Sequence, residues 1–372
     1  MDKKIKVALC ITELERGGAE KALVQLASGL NPELFEVIIY SLRSKKWHSK
    51  HSFLSILASR GIQVKFLNVN SVLSFPKACH RLKRMLREQK PDVFQSFLFH
   101  ANLLGRFAAK AAGVPLVCSG IRVAEKKAKW HLRLDCLTQH FVDKYICVSE
   151  SVAHFTRTRG HINAEKIQVI TNGIDPDVPF NVEDVMTPLP DDYAKEPAVV
   201  YLGRLHYQKG LFWLMDTLPE WLARETSWHL WLFGDGPDRE KLETRLLTLP
   251  FADRIHLPGR HTNIYDILSG AALLVLPSRW EGMPNVVLEA MTVGIPVLVT
   301  DTEGTRELLG NDPRQIVPFG DSLAFCRNIT ALLNDPELRS KIGNANRDRA
   351  IKLFNINDKI NAYIDAWNGN DR

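Results

Sequence analysis

Short apolar runs alternate with amphipathic segments along most of this chain. In the first half, the runs predict strands over residues 5–11, 35–40, 63–67, 93–97, 114–118, 144–148 and 167–170. Segments between them, such as 19–30 and 75–89, repeat their apolar positions with the period of a helix. This alternation predicts a parallel sheet covered by helices on both faces.

The alternation stops between Asp175 and Pro197, where acidic residues and prolines are typical of a linker. It then restarts and predicts strands over 198–202, 229–233, 255–257, 273–276 and 297–299, and helices over 211–223, 239–247 and 286–293. A chain of 372 residues is also too long for one ordinary core. We therefore expect an α/β protein with two Rossmann-like, doubly wound domains, 1–185 and 186–355, that face a central cleft and bind ligands at the carboxyl ends of their strands.

The composition, 45% hydrophobic and 24% charged, excludes a disordered or collagen-like chain. No apolar run reaches the roughly 18 residues of a membrane-spanning helix. Glu13 and Glu15 interrupt the apolar run behind the first lysines, which argues against a signal peptide. The six cysteines include no CxxC pair, so we expect reduced thiols in a cytoplasmic protein rather than disulfides or a zinc site.

The net charge of +6 is unevenly distributed, because residues 1–185 hold 28 lysines and arginines against 17 acids, and the remainder holds 20 against 25. This excess predicts an anionic partner for the first domain, such as a membrane surface, a lipid phosphate or nucleic acid. Six basic residues between Lys77 and Lys90 lie on a segment that could rest on anionic lipid or be an ordinary solvated helix. A second group, Lys126, Lys127 and Lys129, surrounds Trp130. No motif of an RNA-binding module is present, so nucleic acid is not an expected partner.

The segment from Pro277 to Val297 contains the strongest candidate site. A buried strand is followed by a helix predicted to begin near Pro284, whose free N–H groups and positive dipole end would bind a diphosphate. Glu281 precedes this helix and Glu289 lies inside it; each carboxylate can accept hydrogen bonds from vicinal hydroxyls of a ribose or a sugar. Alternatively, Glu281 is an ordinary acidic residue at the start of the helix, and Glu289 lies on a solvated helix face.

Gly203 opens a second candidate loop directly after the predicted strand 198–202. Arg204 offers a planar bidentate fork and Lys209 a mobile charge, a combination suited to a diphosphate whose negative charge grows as it leaves. Alternatively, Arg204 and Lys209 are solvated cations on a loop and bind no ligand.

Two further glycine pairs follow predicted strands. Gly234 and Gly236 would let the backbone approach a base or ribose closely, or they form an ordinary turn. Gly17 and Gly18 would present a backbone N–H to a phosphate, or they form a tight strand-to-helix turn. The dinucleotide fingerprint GxGxxG is absent from the Gly17 loop, and the Walker pattern is absent throughout.

Together with Asn172-Gly173-Ile174-Asp175, these motifs resemble the family 4 retaining glycosyltransferases of the GT-B fold, in the same order and over essentially the whole chain. The resemblance implies that Glu289 binds the donor ribose, that Glu281 contacts the donor sugar, and that Arg204 and Lys209 neutralise the diphosphate. It also implies donor contacts at Gly18, Gly282, Met283, Pro284 and Asn285. By the same resemblance, the helical segment 356–372 packs back on the first domain.

Cleavage of a sugar–diphosphate bond builds negative charge on the leaving oxygen, which Arg204, Lys209 and a helix end can stabilise. We therefore expect no metal and no cofactor beyond the nucleotide-sugar substrate. Asp175 and Asp177 form the only Asp-x-Asp pair, which we interpret as part of the linker rather than as metal ligands. In the family, retention is usually assigned to attack from the leaving-group face, so a carboxylate nucleophile is not required.

Many family members have a histidine near the end of the fourth strand, where this chain departs from the pattern and has His100 close by. His100 could reach the donor sugar or the acceptor hydroxyl, or it could be a capping or core histidine. Arg122 and Asn172 are further candidates for contact with the acceptor or a phosphate.

The resemblance thus implies a retaining glycosyltransferase that moves a sugar from a UDP- or GDP-linked donor to a glycan or a polyprenyl- or lipid-linked acceptor. Cell-envelope polysaccharide or glycolipid synthesis, at the inner face of the cell membrane, is the expected setting. The alternatives are another GT-B enzyme, such as a nucleotide-sugar 2-epimerase or a phosphorylase, and a noncatalytic binding protein.

Overall fold

Residue contacts divide the chain into two units, Met1–Gly173 with Ile356–Arg372, and Ile174–Asn355. The computed structural model describes residues 3–15, 17–47, 52–175, 188–193, 197–224 and 227–369. The predicted domain boundary at residue 185, most of the predicted linker, and Asp177 of the Asp-x-Asp pair lie outside the described residues.

The first unit contains a parallel sheet with the strand order β3-β2-β1-β4-β5-β6-β7. These strands are β1 (Ile5–Ile11), β2 (Phe35–Ser41), β3 (Gln63–Phe66), β4 (Val93–Phe97), β5 (Leu116–Ile121), β6 (Lys144–Cys147) and β7 (Ile167–Val169). The helices that alternate with them are α1 (Gly18–Gly29), α2 (Leu54–Ser59), α3 (Phe75–Gln89), α4 (Phe99–Ala112), α5 (Lys129–Leu137) and α6 (Glu150–Thr158).

The second unit contains a parallel sheet with the order β10-β9-β8-β11-β12-β13. Its strands are β8 (Ala198–Leu202), β9 (His229–Phe233), β10 (Ile255–Gly259), β11 (Ala271–Leu276), β12 (Val297–Thr300) and β13 (Ile316–Val317). The helices are α7 (Leu211–Arg224), α8 (Arg239–Leu246), α9 (Ile264–Ser269), α10 (Asn285–Val293), α11 (Thr305–Leu309), α12 (Ser322–Asn334) and α13 (Pro336–Leu353). The two doubly wound parallel sheets confirm the predicted α/β class.

The last helix, α14 (Ile356–Asn368), belongs to the first unit although it follows the second along the chain. It packs against α1 so closely that a Cβ atom on Gly29 would lie 2.1 Å from Ile360 Cδ1. The ring of Tyr363 also lies 6.4 Å from the ring of Phe97 at the end of β4. Burial of Ile360, Tyr363 and Trp367 explains the helical period of this segment.

Element ends differ from the predicted ones where the local chemistry of the backbone decides them. The strand predicted over 114–118 begins at Leu116 instead and continues to Ile121, because Pro115 has no N–H for the ladder. The short strand β13 is not predicted, since two residues give no periodic signal.

Six cysteines are free thiols, as the spacing predicts. Of the helices among the described residues, none combines the length and the apolar character needed to cross a membrane.

Candidate active site

Each sheet has one central position where the strand order reverses, between β1 and β4 in the first and between β8 and β11 in the second. Loops that follow such neighbouring strands diverge to opposite faces and leave a crevice at the carboxyl edge. The loop that starts at Gly203 follows β8, and the segment that leads to α10 follows β11. The fold therefore brings together the two strongest candidate motifs of the second unit.

Glu281 and Lys209 form an ion pair at the β8–β11 crevice, although 72 residues separate them. Lys209 Nζ lies 2.5 Å from Glu281 Oε1, with side chains that are 19% and 8% exposed. The Ser278 hydroxyl donates to the same carboxylate oxygen at 2.6 Å. A charge-assisted pair in such partial burial fixes the position of both groups. The alternatives of a helix-start acid for Glu281 and a solvated cation for Lys209 are therefore wrong.

Glu289 is also buried, at 3% exposure, on α10. The alternative that it lies on a solvated helix face is therefore wrong. Pro284 precedes the helix with an extended backbone, and α10 begins at Asn285. The Val287 N–H donates to the Pro284 carbonyl at 3.2 Å, and the positive end of the helix dipole at this first turn favours an anion.

Arg204 is exposed, and its carbonyl oxygen accepts a hydrogen bond from the Tyr201 hydroxyl at 2.9 Å. Burial, with a smaller contribution from Glu281, raises the pKa of Tyr201 well above its usual range. The phenol therefore stays protonated and holds the loop backbone while the Arg204 guanidinium extends into solvent.

The glycines of this region let loops pack backbone against backbone. A Cβ atom on Gly234, whose φ is 144°, would lie 1.8 Å from the Gly203 carbonyl oxygen, and one on Gly236 would lie 2.3 Å from that of Leu205. Leu205 N–H donates to the Asp235 carbonyl at 3.0 Å. Loop packing is thus sufficient to require glycine at 234 and 236, and their contact with a donor stays a prediction.

Arg279 clamps the two candidate loops together, although no motif marks it as a site residue. Its guanidinium lies 4.3 Å from the ring centre of Tyr207 and 4.6 Å from that of Phe319. Its backbone N–H donates to the Gln208 carbonyl at 2.7 Å, and the Gln208 amide donates to the Trp280 carbonyl at 2.8 Å. These contacts lie on either side of Lys209 and Glu281 and hold the two segments that carry them next to each other.

Glu303 is a second site residue that lies outside the candidate motifs. Its Oε2 accepts from the Glu281 N–H at 3.4 Å. The neighbouring Gly304, at a φ of 78°, approaches Gly282 so closely that a Cβ atom would lie 2.3 Å from its carbonyl oxygen. Glu303 lies just after the predicted strand 297–299, and this position is the sequence signal that could have identified it.

In the first unit, Gly18 and His100 lie in the first turns of the helices that follow the two central strands. Gly18 is the first residue of α1, and His100 lies in the first turn of α4, exposed at the surface. Leu98, which joins β4 to α4, has a φ of 72°, a strained conformation for a bulky side chain and one found most often at functional sites. Partial burial of the ring and then Arg43 lower the pKa of His100, so the imidazole is neutral at neutral pH.

Arg122 and Asn172 contact each other directly, the guanidinium donating to the Asn172 amide oxygen. Burial lowers the pKa of Arg122, and the nearby Tyr363 of α14 opposes that shift. These contacts occupy part of the hydrogen-bonding capacity of both acceptor candidates and link the end of β5 to the C-terminal helix.

The basic helix α3 uses its apolar face inside the protein. Ala78, Leu82 and Leu86 are buried against the core of the first unit, whereas Lys77, Arg84 and Arg87 are exposed. The apolar side chains are therefore not available to enter a bilayer, and only the basic face could meet anionic lipid.

Two family models match the chain and together cover most of it. Residues 16–178 match the model described as Glycosyltransferase Family 4, and residues 196–335 match the one described as Glycosyl transferases group 1.

Curated relatives match over most of their length. The lipopolysaccharide core biosynthesis glycosyltransferase LpsD of Rhizobium meliloti is 28% identical over 295 residues, which cover 77% of this chain and 78% of the relative. The UDP-Gal:alpha-D-GlcNAc-diphosphoundecaprenol alpha-1,3-galactosyltransferase of Escherichia coli is 26% identical over 322 residues, 80% of each chain.

Among solved structures, Anabaena Alr3699/HepE in complex with UDP superimposes with a TM-score of 0.81 at 18% identity, over 98% of this chain and 100% of that one. Staphylococcus aureus TarM gives a TM-score of 0.79 at 11% identity, over 98% of this chain and 100% of that one. These similarities confirm the predicted GT-B fold.

Proposed function

This chain belongs to the group 1 glycosyltransferases of family 4, and we propose that it transfers a sugar from a UDP-sugar to a lipid-linked glycan acceptor in envelope synthesis, with retention and without a metal. The partly buried ion pair between Lys209 and Glu281, at the crevice where α10 begins, is the observation that carries the proposal. The name of the E. coli relative describes transfer of Gal from UDP-Gal to a diphosphoundecaprenol-linked GlcNAc, which supports the choice of donor and acceptor classes.

The second unit offers three sources of positive charge for the diphosphate of the donor. Lys209 has three N–H protons, of which the one directed to Glu281 leaves two for phosphate oxygens. Arg204 adds an exposed bidentate fork, and the N-terminus of α10 adds the positive end of the helix dipole. Because these groups stabilise charge that grows on the leaving oxygen, the chemistry needs no metal.

Glu281 and Glu289 are assigned to the hydroxyls of the donor. A carboxylate accepts hydrogen bonds and does not donate them, so it selects vicinal hydroxyls over phosphate. We assign Glu281 to the transferred sugar and Glu289 to the ribose. In the first unit, we assign His100 to the hydroxyls of the acceptor and Gly18 to a phosphate of the donor.

We expect UDP-sugars to raise the melting temperature of the protein more than GDP- or ADP-sugars do. A ligand that binds only the folded chain stabilises it by about 2.7 kcal/mol at a concentration of 100 times its Kd. A thermal-shift panel of the three nucleotide classes, with EDTA present, measures this. Arg204→Ala should weaken the shift, and Arg327→Ala, an exposed arginine on α12, should not. Equal shifts from all three classes would contradict the choice of UDP.

We also propose that the basic face of α3 holds the protein on anionic lipid. A basic residue near such a surface contributes about 1 kcal/mol, so Lys77→Gln, Lys83→Gln and Arg84→Gln together should lower partitioning onto phosphatidylglycerol vesicles by more than about 50-fold. The matched control changes Arg327, Lys341 and Lys352, which are exposed on α12 and α13. Equal effects of both triple variants would show a nonspecific charge effect and contradict the assignment to α3.

A further inference from the structure

Four aromatic rings form an open cluster beside His100 in the first unit. Phe99 and His131 stack with ring centres 3.6 Å apart, and Trp130 meets both rings edge-on, at 5.3 Å from Phe99 and 4.1 Å from His131. The His100 ring lies 5.4 Å from Phe99 and 5.9 Å from His131. We call Phe99, His100, Trp130 and His131 the aromatic platform.

The platform is open to solvent, because Trp130 is 54% exposed. An exposed tryptophan forgoes most of the free energy that burial of so large an apolar side chain would provide. Trp130 lies at the start of α5, and His100 lies in the first turn of α4, so both are at the carboxyl edge of the sheet where α/β domains bind ligands.

Polar groups surround the rings. Glu125 Oε2 lies 4.0 Å from His131 Nδ1. Burial lowers the pKa of His131, an effect that Glu125 opposes, so the neutral imidazole can either donate to or accept from a hydroxyl. Lys126, Lys127 and Lys129 are exposed on the same segment.

A buried ion pair fixes the two helices that carry the platform. Arg106 of α4 is fully buried and donates to Asp135 of α5 at 2.7 Å and to the Thr138 hydroxyl at 2.7 Å. Because α4 carries Phe99 and His100 and α5 carries Trp130 and His131, this pair sets the spacing of the rings. The platform is therefore preorganised rather than a chance contact of surface side chains.

We propose that the aromatic platform binds the sugar ring of the acceptor, with the Trp130 indole against the C–H face of the pyranose and His100, His131 and Glu125 bonded to its hydroxyls. A pyranose presents an apolar C–H face and a polar hydroxyl rim, which match the apolar ring and polar border of this surface. The exposed lysines on the same segment match the diphosphate of a diphospholipid acceptor. This inference rests on the proposed function, which supplies the acceptor, and it adds the site that selects a sugar-bearing acceptor.

The test compares a short-chain prenyl diphosphate with and without an α-linked GlcNAc, each titrated against wild-type protein and Trp130→Ala by calorimetry. The sugar should raise affinity about tenfold in the wild type and add almost nothing in Trp130→Ala. Trp130→Phe, which retains an aromatic face, should recover part of the gain. Leu137→Ala, at the exposed end of the same helix, should behave as wild type.

The platform assignment would be overturned if the sugar raised the affinity of Trp130→Ala as much as that of the wild type. It would also be overturned if Trp130→Ala lost the same affinity for the ligand with the sugar as for the ligand without it. Hydrolysis of a UDP-sugar, measured in the absence of acceptor, distinguishes failure of the platform assignment from failure of the proposed function. If the platform alone is wrong, wild type and Trp130→Ala transfer sugar with the same KM for the acceptor. If the proposed function is wrong, the wild type neither hydrolyses a UDP-sugar nor binds either prenyl diphosphate, and the platform assignment fails with it.

Discussion

Replacing Glu281 by glutamine is expected to lower the rate of sugar transfer by about 10²- to 10³-fold. The change keeps the shape of the side chain but removes the charge that holds Lys209 at 2.5 Å. Lys209 then loses its fixed position, and the hydroxyls of the donor sugar lose an ionic acceptor. Steady-state transfer measured with donor and acceptor both saturating isolates the effect on kcat.

Two variants separate this role from a general loss of acidic charge. Glu240→Gln changes an exposed acid on α8 and should leave the rate unchanged. Lys209→Met should cause a loss of similar size, and the double variant should be little worse than either single one, because both residues act as a unit. A folded Glu281→Gln protein with wild-type turnover would refute the assignment.

Replacing Arg106 by methionine is expected to destabilise the first unit by about 3–5 kcal/mol, the largest stability effect that the described residues indicate. The guanidinium is fully buried, and its removal leaves the Asp135 carboxylate without its cation at the α4–α5 interface. Burial already raises the pKa of Asp135, and Arg106 opposes that rise, so the carboxylate depends on its partner to remain ionised. Urea unfolding followed by tryptophan fluorescence measures the loss.

Arg84 is the matched control, because its ion pair with Glu88 is exposed and 3.8 Å long. Arg84→Met should change the free energy of unfolding by less than about 1 kcal/mol. Adding Asp135→Leu to Arg106→Met should restore much of the stability, since no buried charge is then left unpaired. Equal small effects of Arg106→Met and Arg84→Met would show that the buried pair does not stabilise the unit.

Hydrophobic patterning predicted most of the strands because buried parallel strands are continuous apolar runs. β4 and β8, for example, are buried along their whole length and have the predicted bounds. The segment from Pro277 to Val297 could also be identified, since its strand, turn and helix are local in sequence. Predictions failed at element ends, where single backbone groups decide, as at Pro115.

Contacts between distant segments could not be predicted. Lys209 meets Glu281 only because β8 and β11 are neighbours in the sheet, and a single sequence does not specify strand order. The contacts of Arg279 and the Arg106–Asp135 ion pair could not be predicted for the same reason, because they link different elements. The basic segment from Lys77 to Lys90 was identified as amphipathic, but which partner its apolar face contacts depends on tertiary packing.

The most direct test of the central claim is the transfer of labelled sugar from a UDP-sugar to a GlcNAc-diphosphoprenyl acceptor in the presence of EDTA. We predict that the wild type moves label into the extractable lipid, that the new bond has the anomeric configuration of the donor, and that Glu281→Gln lowers the rate by at least about 10²-fold. Folded wild-type protein that binds the donor but places no label on the acceptor would contradict the proposed transfer, and so would transfer by Glu281→Gln at the wild-type rate.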